Sequence, residues 1–92
     1  MTMAEEKKQK PVKMYTKVPC PFCVAAKRFM LEHGIEFEEI DLTHALDQLQ
    51  RIKQESGWAT VPIIFFGDEL IGGYVDLKAL WESGQLNQKL YA

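Results

Sequence analysis

From Val12 onward apolar residues recur at spacings that change from strand-like to helix-like and back, whereas residues 1–11 are almost all polar or charged and end at Pro11. The run Val12-Lys13-Met14-Tyr15-Thr16 reads as a strand. From Pro21 to about His33 the apolar positions Ala25, Ala26, Phe29 and Met30 fall at the core spacing of a helix, with Gly34 as its stop. Ile35 to Leu42 reads as a second strand. Its alternation holds for Ile35 and Phe37 and then shifts phase to Ile40 and Leu42, which predicts a bulge or an early end. Thr43 is placed to cap a second helix running to Ser56, with Ala45, Leu46, Leu49 and Ile52 on one face and Gly57 closing it. Val61 to Phe66, a turn at Gly67-Asp68 and Glu69 to Ile71 make a hairpin that ends in Gly72-Gly73. Helices return at Asp76 to Ser83, carrying Leu77, Leu80 and Trp81, and, past Gly84, at Leu86 to Tyr91. The order βαβαββαα on a small sheet predicts an α/β sandwich over residues 12–92, preceded by a flexible N-terminal tail of residues 1–11.

Composition narrows the function. Ninety-two residues allow one core and one domain. With 47% hydrophobic and 26% charged residues and a net charge of -2, nothing argues for nucleic acid or an anionic membrane. The longest apolar runs, such as Val61 to Phe66, fall far short of the roughly 20 residues that cross a bilayer. Partners are expected among small molecules and protein thiols. Both cysteines lie in one CxxC, too few to staple a secreted miniprotein, and no signal-peptide h-region is visible, so the expected location is the reducing cytosol.

That pair, Cys20-Pro21-Phe22-Cys23, sits where the first strand gives way to the first helix, the context of a redox dithiol. Proline is preorganised for the first helical position, which makes Cys20 the N-cap. Its sulfur then faces the free amides of Phe22 and Cys23 and the positive end of the helix dipole, both of which favour a thiolate. Cys23, one turn on, shares that face, so the two Cα atoms are expected within the roughly 4.4–6.8 Å that a disulfide tolerates. The rival reading is a metal site built from Cys20, Cys23, His33 and His44. Its spacing argues against it, because structural zinc motifs place the second ligand pair about two to five residues apart.

Four segments in this order, Tyr15-Thr16-Lys17, Cys20-Pro21-Phe22-Cys23 with Ala26-Lys27, Thr60-Val61-Pro62, and Gly72-Gly73 with Asp76, make residues 12–90 resemble a glutaredoxin, a glutathione-dependent member of the thioredoxin superfamily. The resemblance implies a thioredoxin-like, four-stranded mixed sheet flanked by helices, with the Val61-Pro62 bond cis and facing the cysteines. Such a turn exposes the N–H and C=O of Val61 as a strand edge that can pair with the cysteine unit of glutathione. By the same resemblance Cys20 and Cys23 are catalytic and Lys17 and Phe22 flank the sulfur. Thr60, Val61 and Pro62 line the tripeptide, while Gly73, Val75 and Asp76 hold its γ-glutamyl end, where helix amides and a carboxylate suit an α-carboxylate and an α-ammonium. The chain departs from the family pattern in having Phe22 for the usual tyrosine, and Tyr74 then Val75 where a small residue or cysteine commonly follows the glycines. For the glycine carboxylate of glutathione, Gln48 and Arg51 are both available.

The implied activity is reduction of glutathione mixed disulfides and protein disulfides by a monomer, with glutathione as co-substrate and no tightly bound cofactor. Two alternatives from the same resemblance are an iron-sulfur cluster carrier using Cys20 and glutathione, and a redoxin reduced by a flavoprotein reductase. Elsewhere the expectations are plain: Phe29, Met30, Leu80 and Trp81 in the core, Trp58 packed, though near enough to border the substrate groove, and Glu36, Glu38 and Glu39 on a solvated strand face.

Overall fold

The computed structural model describes residues 9–91. Its elements are β1 (Val12–Thr16), α1 (Pro21–Glu32), β2 (Glu38–Asp41), α2 (Leu46–Ser56), β3 (Ile63–Phe66), β4 (Glu69–Gly72), α3 (Tyr74–Glu82) and α4 (Leu86–Leu90). The strands form one four-stranded sheet in the order β2-β1-β3-β4. β1 pairs with β2 in parallel, and the β1/β3 and β3/β4 pairs are antiparallel, so the sheet is mixed as expected.

Side chains of successive strand residues point to opposite faces, and the two faces here bury different helices. Val12 and Met14 of β1 join Ile64 and Phe66 of β3 in a cluster with Ala26, Phe29 and Met30 of α1, Leu77 of α3, and Leu86 and Leu90 of α4. Ile63 faces the other way, against Leu49 of α2 and Leu42, with Tyr15, Ile40, Ile52 and Phe65 packed around them. β3 is therefore covered on both sides, which explains its unbroken apolar sequence Ile63-Ile64-Phe65-Phe66.

Several boundaries differ from the sequence reading, each for a local reason. β2 begins at Glu38 because Ile35 is taken up in ending α1: Gly34 has φ 67°, and the Ile35 N–H donates to the Met30 carbonyl at 2.8 Å. α2 begins at Leu46 behind Ala45, with no side-chain cap. Thr43 is not its cap, because its hydroxyl is committed to Asp41 and to the Val18 amide. Leu46 is 53% exposed and Trp81 49%, so neither joins the core; Trp81 instead sets its edge against Phe29 and His33. β4 runs on to Gly72, which pairs with Ile64 across a register shift. Glu39 is not simply solvated, since it accepts from Thr16 Oγ1 at 2.8 Å and pairs with Lys27 at 3.2 Å, tying β1, β2 and α1 together.

Residues 9–11 are bound to the domain, although the sequence assigns them to the tail. The Lys10 N–H donates to the Leu90 carbonyl at 2.8 Å, the Pro11 carbonyl accepts from Gly67 at 2.7 Å, and Gln9 accepts from the Glu36 amide at 3.0 Å. The rest of that tail, residues 1–8, lies outside the described residues.

Candidate active site

Cys20 is the N-cap of α1, in an extended conformation (φ -154°, ψ 96°), with Pro21 at the first helical position. Its sulfur accepts from the Cys23 N–H at 3.0 Å, one of the two amides, with that of Phe22, expected from the sequence to face it. The two cysteines form a disulfide with their Cα atoms 5.2 Å apart. Cys23 is 4% exposed and packs toward the interior, whereas Cys20 reaches the surface. The two sulfurs therefore differ in kind. An incoming disulfide can meet Cys20 directly, while Cys23 is reachable only through Cys20.

The turn before β3 comes up against this sulfur. The Val61-Pro62 peptide is cis, as is Val18-Pro19, and the Val61 carbonyl oxygen lies 3.6 Å from Cys20 Sγ. Val61 lies beyond the last paired residue of β3, so its backbone groups extend the sheet without belonging to either ladder. Pro62 in turn approaches the start of α3: a Cβ built on Gly73 would stand 3.6 Å from the Pro62 carbonyl oxygen. Gly73 is the N-cap of α3, and the Asp76 carboxylate accepts its N–H at 3.0 Å. The amides of Tyr74, Val75 and Asp76 open the helix and have no partners within it. Cys20, Val61 and Asp76 thus reach the surface around a buried floor of Pro62 and Gly73.

The other expected residues surround it. Phe22 is 58% exposed at the start of α1, and its ring stacks on Tyr74 at 6.4 Å and 24°. Thr60 is exposed beside Val61, and Val75 is 67% exposed at the start of α3. Lys17 is half-buried on the loop between β1 and α1. Gln48 and Arg51 line an open depression at the start of α2 together with Thr43 and His44. Thr43 joins that depression to the loop before Cys20 by accepting the Val18 N–H at 2.9 Å. Asp41, on the same shoulder, is held below its ordinary carboxyl value by hydrogen bonds from the Thr43 hydroxyl and then the Thr43 amide.

Three residues make contacts that the sequence reading did not assign them. Trp58 does pack, as expected, but under the glycines: its Cη2 would stand 3.0 Å from a Cβ on Gly72, and its Nε1 3.7 Å from one on Gly73. Gly72 has φ 117°, and a Cβ there would also meet Asp76 Oδ2 at 2.8 Å, so it must be glycine for both conformation and space. Tyr74 meets Phe22, which brings two of the chain's departures from the family pattern face to face. Spacing gives no warning of contacts between residues this far apart in the chain.

The four-residue metal set does not assemble. His33 lies at the opposite end of the 12-residue α1 from Cys20, its ring stacked on Phe29 at 4.0 Å. Among the described residues no three His, Cys, Asp or Glu side chains gather in a metal-binding group.

A sequence model of glutaredoxins matches residues 12–71. The chain belongs to the glutaredoxin family. It is 35% identical over 82 residues to a glutaredoxin of Pseudomonas aeruginosa, covering 89% of this chain and 98% of that one. Its fold is similar to the solution structure of the Brucella melitensis glutaredoxin, with a TM-score of 0.79, 36% identity and 90% of each chain covered. It also resembles a buckwheat glutaredoxin solved as a complex with glutathione, with a TM-score of 0.79, 27% identity, and coverage of 88% of this chain and 76% of that one. The sheet and its helices are accordingly a thioredoxin-like fold, and the Cys20–Cys23 pair makes the chain a thiol-disulfide oxidoreductase.

Proposed function

We propose that the chain reduces glutathione mixed disulfides and protein disulfides with glutathione as the electron donor. The observation that carries this reading is the meeting of the surface sulfur of Cys20 with the Val61 carbonyl, 3.6 Å away, beside the opening turn of α3. A tripeptide whose cysteine sulfur reaches Cys20 lies along the backbone of Val61 as a short extra strand. Its γ-glutamyl α-carboxylate then meets the amides of Tyr74, Val75 and Asp76, and its ammonium meets the Asp76 carboxylate. The buckwheat relative, solved with glutathione, supports the same ligand here.

The chemistry follows from which sulfur is accessible. Cys20 thiolate attacks the glutathione sulfur of a mixed disulfide, the substrate leaves as a thiolate and takes up a proton, and Cys20 is left bonded to glutathione. A second glutathione thiolate attacks that sulfur, releasing glutathione disulfide and Cys20 thiolate. For a protein disulfide, Cys20 first bonds one substrate sulfur, Cys23 displaces it by closing the Cys20–Cys23 disulfide, and two glutathiones reopen the pair. Electrons balance in both routes without a metal or organic cofactor.

Lowering the Cys20 pKa helps chiefly at the second step. A free thiol near pKa 8.5 is about 3% ionised at pH 7, so full ionisation gains at most about thirtyfold in attack. A drop of roughly 2.5 units takes back about tenfold or more through the Brønsted slope of about 0.4 to 0.5. What remains is the better leaving group, which speeds release of Cys20 from its glutathione adduct. The Cys23 amide and the start of α1 favour the thiolate, and the Lys17 cation on the preceding loop acts in the same direction.

Regeneration by glutathione fits a reducing cytosol, and a reaction completed on one open surface fits a monomer. A glutathione-coupled assay on a mixed-disulfide substrate, run beside a flavoprotein reductase as donor, tests the proposal. The expected result is turnover with glutathione that vanishes in Cys20→Ser and persists in Cys23→Ser, which loses only protein disulfides. Equal turnover with the flavoprotein alone, or an active Cys20→Ser, would refute it.

A further inference from the structure

We propose that Thr43 and Asp41 are positioning residues that hold the Lys17–Cys20 loop in register for the nucleophile, an inference whose purpose rests on the function just proposed. Lys17, Val18 and Pro19 connect the end of β1 to the N-cap of α1. Thr16 is anchored, its carbonyl accepting from the Leu42 N–H at 2.8 Å and its hydroxyl donating to Glu39 at 2.8 Å. Pro19 has no N–H, so the Val18 amide is the last donor that can tether the loop before Cys20. That amide donates to Thr43 Oγ1 at 2.9 Å.

A hydroxyl has one proton and two lone pairs. Thr43 donates its proton to Asp41 Oδ1, and the same oxygen accepts the Thr43 N–H at 2.9 Å. With the proton spent there, a lone pair is left for Val18. Asp41, an acceptor only, therefore fixes the polarity of the Thr43 hydroxyl, and the hydroxyl fixes the loop. The arrangement reaches the active site from β2, independently of the contacts α1 makes with the core. It also explains why Thr43, in sequence a natural helix cap, leaves α2 uncapped. The sulfur of Cys20 and the ammonium of Lys17 both hang on the tethered loop. A loosened loop lets the sulfur leave the line of the Cys23 amide for part of the time, and the thiolate is then less favoured.

The test is the rate at which the reduced protein reacts with iodoacetamide, a small neutral alkylating reagent, as a function of pH. Thr43→Val keeps the shape and removes the hydroxyl, Thr43→Ser keeps the hydroxyl, and Asp41→Ala frees its rotation. Each variant is read well below its own unfolding transition, so lost stability alone leaves the midpoint in place. The expected result for Thr43→Val is an alkylation midpoint about half a pH unit higher, or roughly threefold less thiolate at a given pH below it. Asp41→Ala falls between Thr43→Val and wild type, and Thr43→Ser follows the wild-type curve. A Thr43→Val profile that superimposes on wild type overturns the proposal, as does a Thr43→Ser profile shifted equally far. An Asp41→Ala profile on the wild-type curve overturns the role of Asp41. Alkylation needs no glutathione, so a wild-type protein that fails to turn over with glutathione refutes the function and leaves this assignment to be judged on the pH profiles.

Discussion

At the scale of single residues, Asp76 carries two tasks that can be separated. Its Oδ2 accepts the Gly73 N–H at 3.0 Å, which caps α3, and its charge is the proposed partner of the γ-glutamyl ammonium. Asp76→Asn keeps an acceptor and loses the charge, so it is expected to raise the KM for glutathione with little change in stability. Asp76→Ala loses both, and should also lower stability by about 0.5–1.5 kcal/mol, the usual net worth of one hydrogen bond. Urea unfolding beside glutathione saturation distinguishes the two variants. If both lose stability equally and bind glutathione as before, Asp76 is structural only. Gly72 and Trp58 belong to the same account, since the glycine leaves room for both the Asp76 carboxylate and the indole.

At the scale of elements, the apolar pattern made the order of strands and helices legible because each face of the sheet has its own periodicity to satisfy. Val12, Met14, Ile64 and Phe66 serve one face, Ile63 and Leu49 the other. The pattern was silent where backbone bonding overrides it. Ile35 has a strand-like side chain but ends α1, and Tyr74-Val75, which the pattern leaves between the hairpin and a helix starting at Asp76, forms the first turn of α3. Cys20 as N-cap and the cis turn at Val61 were legible, the first from Pro21 and the second from resemblance. The Thr43 tether was not, because a hydroxyl beside a helix start has several possible partners and only tertiary structure selects one. The packing account makes its own prediction. Met30 is fully buried where α1 meets the sheet, so Met30→Ala should cost about 2–5 kcal/mol in denaturant unfolding. Alkylation of Cys20 well below the transition should be nearly unchanged, because the capping bond lies about two turns away. A cost under about 1 kcal/mol would mean that α1 is held by something other than this core.

For the molecule as a whole, the reactive surface is assembled from distant parts of the chain: the loop after β1, the start of α1, the turn before β3 and the start of α3. The β2 shoulder braces it through Asp41 and Thr43. Asp41 also gives global stability a pH signature. Its folded-state carboxyl lies below the ordinary 3.8, so its charged form contributes stability that is fully present above that value and lost as pH falls through the folded one. The difference in unfolding midpoint between wild type and Asp41→Asn should therefore be constant at neutral pH and shrink in the acid range below about 4. A difference that grows on acidification would contradict the hydrogen-bond assignment.

The central claim is that glutathione lies along Val61 and ends at the opening turn of α3. Amide chemical-shift mapping of Cys23→Ser, before and after Cys20 is converted to its glutathione mixed disulfide, tests this most directly. The account predicts the largest changes at Val61 and at Gly73 through Asp76, with Lys17 and Phe22 next and the far end of α1 unmoved. Changes centred instead on Thr43, His44, Gln48 and Arg51, with Val61 and Gly73 unmoved, would contradict it.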